Sequence, residues 1–182
     1  MIYKLFFILA LIYAEQSNIE EVVEWQDTVQ LNWSDFKGRP QNLGDVVALT
    51  SSGISFKFSI KEGNGQVVGF DTQVQAHFYP KRSWVHKKRS SDHILAHEQL
   101  HFDITELYAR KFRKEITHLK ISKDIKRDLN SLYERIIKDM TVEQSTYDIQ
   151  TNHSRDAKAQ FAWNKKISDA LKVYNDYKNP NK

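Results

Sequence analysis

Ser91-Asp92-His93-Ile94-Leu95-Ala96-His97-Glu98-Gln99-Leu100-His101-Phe102-Asp103 is where the chain changes period. Ahead of it, Ile54, Phe56, Phe58 and Ile60 alternate with Ser55, Lys57, Ser59 and Lys61, the two-residue period of a strand with one buried face. From Ser91 the apolar positions follow a helical period: Ile94, His97, His101, Ile104, Tyr108 and Phe112 share a face, with Leu100 and Leu107 alongside. Ser91 suits the N-cap, and Asp92 places an anion in the first turn, where the helix dipole favours it. A strand-rich front meets a helix-rich back at this point, so the fold class is α+β.

Working outward, Asn64-Gly65 lies in a turn after the first strand, in residues that tolerate positive φ. A second extended stretch follows, with Val74, Ala76 and Phe78 alternating against Gln73, Gln75 and His77 and stopping at Pro80. The pair reads as a hairpin. Leu31 to Phe36 and Val46 to Leu49 are weaker strand candidates. Beyond the first helix, Ile125, Leu129, Leu132, Tyr133, Ile136, Ile137 and Met140 predict a second helix over about 125–140. Trp163, Ile167, Leu171 and Tyr174 predict a third over about 156–177. The basic pairs Arg110-Lys111 and Arg113-Lys114 read as a solvated face. The expected architecture is a small antiparallel sheet packed on the first helix, with two further helices behind.

A chain of 182 residues has room for one ordinary domain. Its +4 charge is modest and scattered among acidic residues, which argues against nucleic-acid binding. Cysteine is absent, so disulfides and cysteine-ligated metals are excluded, and any metal must rest on His, Asp or Glu. Residues 1–14 combine Lys4, an apolar run from Leu5 and a terminal Ala14, the layout of a secretory signal peptide. That run is shorter than the roughly twenty residues a transmembrane helix needs. The expectation is a secreted or periplasmic protein with no stable membrane insertion once the signal is removed. The mature domain spans 15–182, strand-rich over 20–90 and helical over 91–178.

The chemistry centres on His97 and His101. Four residues apart on a helix, their imidazoles project from one face and can reach a single tetrahedral ion, with Glu98 beside it. Zinc in such a site acidifies its bound water, and a neighbouring glutamate can take the proton as that water attacks a carbonyl. His93 extends the row, but three residues at this spacing cover about 12 Å of axis, too far for one ion, so His93 is a neighbour. The third ligand must come from another segment. Tyr147-Asp148-Ile149-Gln150-Thr151-Asn152-His153 reads as a polar, irregular stretch between two helices. His153 is the chosen ligand, with Asp148 and Glu134 as alternatives. Tyr147 is a candidate donor to the oxyanion, and plain packing is its other reading. Gln160 and Trp163 fit either a supporting shell or core.

Taken in order, Leu31 to Phe36, Ser83-Trp84-Val85, His97 to Asp103, Tyr147 to His153, Gln160 and Trp163 resemble the bacterial domain-of-unknown-function family 922, described as predicted secreted zinc-dependent proteases. The resemblance implies a zincin-like arrangement, with His97, His101 and His153 on zinc and Glu98 as general base. It also implies hydrolysis of a protein or peptide substrate by a monomer. In zincin-like enzymes a sheet edge near the metal holds substrate as an added strand; Gln73 to Tyr79 is the candidate edge. The competing readings are an exported module that binds zinc without turnover, and a zinc amidase acting on cell-wall peptides.

Overall fold

A computed structural model describes residues 20–179, so the signal-peptide reading lies outside the described residues. The fold is α+β. Strands β3 (Ser52–Gly63) and β4 (Gln66–Phe78) form the expected antiparallel hairpin, in register from Ser52 opposite Phe78 to Gly63 opposite Gln66. Asn64 and Gly65 make its two-residue turn at φ of 51° and 72°, the left-handed geometry that matches the twist of the flanking strands. β4 also pairs on its other side with β1 (Val23–Glu24), and the Trp25 N–H donates to the Ala76 carbonyl at 3.0 Å. Within the Gln73 to Tyr79 segment, Ala76 to Phe78 are thus paired on both sides and the Val74 carbonyl accepts from Arg113, so this stretch is not the open edge expected of it.

A second, two-stranded ribbon joins β2 (Ala48–Leu49) to β5 (Trp84–Val85). The Leu31 to Phe36 stretch is not a strand. Its polar residues close a 3-10 turn over Trp33–Asp35, with the Asn32 side chain accepting from Ser34 N (2.9 Å) and Asp35 accepting from Asn32 N (2.8 Å). Such side chains offer the backbone a local alternative to a ladder.

Helix α1 (Asp92–Ile116) begins at Ser91, whose hydroxyl accepts from Ile94 N at 3.3 Å. It is the axle of the molecule. One flank packs on the sheet through Phe78, Val74 and Ile54, another on α2 (Ile125–Gln150) through Leu129, Leu132 and Ile136, and a third on α3 (Ala157–Val173) through Trp163 and Ile167. Phe102, Ile104, Ala109 and Phe112 are fully enclosed as a result. Two features depart from expectation. Arg110 is buried, not solvated: Glu106 accepts from its Nε (2.9 Å) and from Arg113 Nη1 (3.1 Å), while Arg110 Nη1 donates to the Leu171 carbonyl. The carboxylate sits one turn earlier on the same helix and makes burial of the guanidinium tolerable. Second, α2 runs ten residues beyond Met140, so Tyr147 and Asp148 are helical and not part of a loop. Among the described residues no helix is long and apolar enough to cross a membrane.

Candidate metal centre

The centre forms where the N-terminal half of α1 faces the C-terminal half of α2. His97 and His101 are one turn apart on α1, their rings 5.0 Å centroid to centroid. Asp148 is on the last turn of α2. His97, His101 and Asp148 each offer a ligand atom within 4.8 Å of the others, close enough to hold one metal ion. The structure thus brings Asp148 to the two histidines, where the sequence reading chose His153. His153 is exposed on the connection after α2 and lines the cavity onto which His97, His101 and Asp148 open. The reason is the extra length of α2: a helix carried through to Gln150 points Asp148 inward and leaves His153 beyond its end. Glu134 is exposed, two turns before Met140, and stands outside the group.

Each imidazole is oriented from behind. His97 Nδ1 donates to Gln160 Oε1 at 2.9 Å, and Gln160 is oriented in turn by its own Nε2, which donates to Asn164. His101 Nδ1 donates to Gln144 Oε1, whose amide is fixed by Nε2 donating to the His101 carbonyl (3.2 Å). With both Nδ1–H groups engaged, each Nε2 presents a lone pair. Both lone pairs face the same Asp148 Oδ1, at 3.1 Å from His97 and 3.0 Å from His101. Three electron-rich atoms so close require a positive charge among them, either a proton or a metal ion. Two imidazole nitrogens with one carboxylate oxygen, each histidine held through its second nitrogen, is a donor set that fits zinc.

The titration behaviour points the same way. Burial alone would lower the His101 pKa, yet the Asp148 hydrogen bond and the charges of Glu98 and Asp148 carry it above its usual value. Burial would raise the Asp148 carboxyl, but when a proton sits on Nε2 the hydrogen bonds with His101 and His97 hold it well below the carboxylate range. The site attracts positive charge.

Glu98 is buried and lines the same cavity of about 790 Å³. Thr50 donates to its backbone carbonyl at 3.1 Å. Among the described residues no hydrogen bond or ion pair engages the Glu98 carboxylate. Tyr147 has a different place from the one expected for an oxyanion donor. It is fully buried, stacks on the His97 ring at 4.5 Å and donates to Gln160 Oε1 at 2.8 Å. Burial raises its pKa far above the ordinary value, so it stays a neutral buttress behind the histidine. Trp163 packs on Tyr147 and donates to Gln150. His93 reaches the Ser154 carbonyl and is a neighbour of the site, as its spacing predicts. Gln144 is the residue the sequence reading missed. It lies four residues before Asp148, on the same helix face, a signal that becomes readable once α2 is extended past Met140.

Comparison with known proteins finds no match among curated proteins and none among solved structures. A family model described as "Bacterial protein of unknown function (DUF922)" matches residues 27–154, more than two thirds of the chain. The matched span carries His97, Glu98, His101 and Asp148, and on that match the chain belongs to this bacterial family.

Proposed function

We propose that the protein is an exported zinc-dependent peptidase of zincin-like arrangement, with His97 Nε2, His101 Nε2 and Asp148 as ligands and Glu98 as general base. The observation that carries the reading is the convergence of two lone pairs and a carboxylate oxygen beside a second, uncommitted carboxylate in one cavity. A zinc ion held there would supply Lewis-acid polarisation and an acidified water. Glu98 takes the proton of the attacking water and returns it to the departing amine. A carboxylate already saturated by hydrogen bonds would serve that role poorly. A zinc site needed only for stability has no use for such a base, which favours an enzyme over a binding module.

The cavity also has a suitable wall for an extended peptide. β2 pairs with β5 on one side only, and the His86 N–H donates to the Val47 carbonyl. In an antiparallel ladder the direction of bonding alternates, so the N–H and C=O of Ala48 point away from β5, and Ala48 also lines the cavity. A substrate strand added at this edge crosses the metal group. This edge takes the place of the β4 segment as the substrate-binding strand. The apolar run over residues 1–14 supports export.

Glu98→Gln tests the assignment. The variant should bind zinc as the parent does and hydrolyse a mixed peptide pool about 10²–10⁴-fold more slowly. Equal turnover in parent and variant removes Glu98 as the base. A parent that holds zinc but cleaves no peptide or cell-wall substrate makes the binding module the better reading.

A further inference from the structure

The groove that holds the metal group is chemically asymmetric along its length. Its direction can be traced by contacts. At one end Arg89 donates to the Asp45 carbonyl (2.9 Å) and Arg155 pairs with the Asp45 carboxylate (3.4 Å). Next, Thr50 bonds to Glu98, and beyond it Ser52 bonds to Thr105 at 2.7 Å. The wall over residues 43–52 therefore runs from the start of α1 toward its middle. Arg89, His153 and Arg155 line the first end, whereas Met140, Thr141, Ser51 and Ser52 line the other and carry no charge.

The basic end is built with some conformational expense. Asn152, His153 and Ser154 are three successive non-glycine residues at φ of 48°, 51° and 71°. Left-handed backbone is disfavoured for such residues and persists where the surroundings enforce it, often beside functional sites. Here the His153 N–H donates to the Asp148 carbonyl at 2.8 Å, and His93 holds the Ser154 carbonyl. The turn delivers His153 and Arg155 to the groove next to the Asp148 ligand. Both arginines meet at Asp45, whose side chain is 84 % exposed, Arg89 on its main-chain carbonyl and Arg155 on its carboxylate. An ion pair this exposed contributes little and exchanges readily for another carboxylate.

We infer that this end of the groove is a carboxylate subsite, and that the preferred substrates are peptides with a carboxylate on the C-terminal side of the cleaved bond. The inference rests on the peptidase reading above. An extended peptide paired antiparallel to β2 runs opposite to the wall, so its C-terminal portion lies toward Arg89 and Arg155. Guanidinium groups recognise carboxylates through charge-assisted, directional hydrogen bonds. The carboxylate is either an Asp or Glu side chain or the C-terminus of the peptide itself. The Asp45 carboxylate occupies the Arg155 side of the subsite when no substrate is bound.

The test uses the full zinc-loaded protein and synthetic peptides made in matched pairs, Glu against Gln and free acid against C-terminal amide. Binding is measured by titration on the Glu98→Gln variant and cleavage positions by mass spectrometry on the parent. The acidic member of at least one pair should bind about tenfold more tightly, the scale of one charged hydrogen bond. The cut should fall on the N-terminal side of the acidic group. Arg89→Gln with Arg155→Gln should erase the discrimination while zinc content is retained, and Asp45→Asn should increase it. Preference in the Glu/Gln pairs identifies a side chain as the source; preference confined to the acid/amide pairs identifies the C-terminus. Equal binding within every pair, a preference that survives the double arginine change, or cuts on the C-terminal side of the acid would overturn the inference. Unselective cleavage leaves the peptidase reading standing and removes this one. Selective binding without cleavage does the reverse.

Discussion

At the scale of single residues, the centre is defined by which carboxylate or imidazole completes the pair formed by His97 and His101. Asp148 Oδ1 lies within 3.1 Å of both Nε2 atoms, whereas His153 stands at the cavity wall. Asp148→Ala should lose stoichiometric zinc and His153→Ala should keep it, as read by metal analysis of purified protein. The opposite pattern would return His153 to the ligand set. Gln144 supports the site without touching the metal position, and supporting groups of this kind are worth about 10–100-fold in metal affinity. Gln144→Ala should weaken zinc binding on that scale in a chelator competition, with secondary structure intact by circular dichroism. The pair His97 and His101 was legible from spacing alone. Asp148 stood in the sequence as an alternative, and Gln144 was invisible because its partner ring lies 43 positions away.

At the scale of elements, α1 does two jobs at once. Its N-terminal half presents the histidines, and its C-terminal half carries a buried charge cluster in which Glu106 serves both Arg110 and Arg113. Removing one partner of a buried pair typically costs about 3–5 kcal/mol, because the other charge is left without compensation. Glu106→Ala should therefore lower unfolding stability by about that amount in a denaturant titration. Glu115→Ala, which breaks an exposed pair with Arg135, should cost under about 1 kcal/mol. Similar small losses in both variants would show that the Glu106 cluster is hydrated and does not hold α1. Sequence periodicity described α1 well, but it gave no sign that Arg110 is enclosed. That follows only when α3 closes over it, as the bond to the Leu171 carbonyl records.

At the scale of the whole molecule, a metal held by His97, His101 and Asp148 would compete with a proton for one site. Asp148 is depressed from its ordinary 3.8, so its contribution to stability is present above that value and lost as pH falls through the lower folded value. His101 is raised from 6.5, so its contribution is complete below 6.5 and lost as pH rises through the higher folded value. The metal-free protein should thus gain most from this pair between those two ordinary values. Zinc needs the histidines unprotonated, so its stabilisation should grow as pH rises from the acid side up to the raised His101 value. The melting-temperature difference between zinc-loaded and chelator-treated protein should widen as pH rises from about 5 through and beyond 6.5, the ordinary histidine value. A difference that stays flat with pH would exclude histidine ligands.

What the sequence by itself determined were the features carried by local period: the hairpin around Asn64-Gly65, the three helices, and the two histidines one turn apart on α1. Each depends on neighbours within a few positions, so the pattern is written along the chain. The tertiary structure decided the rest. It covered the Ala76–Phe78 end of β4 with β1, made β2 an edge beside the metal group, and carried α2 on through Gln150 so that Asp148 faces the histidines. Gln144, Asp148 and Gln150 carry no apolar period because their hydrogen-bonding partners belong to α1 and α3. Only when those helices pack does the polar run become the inner face of a helix.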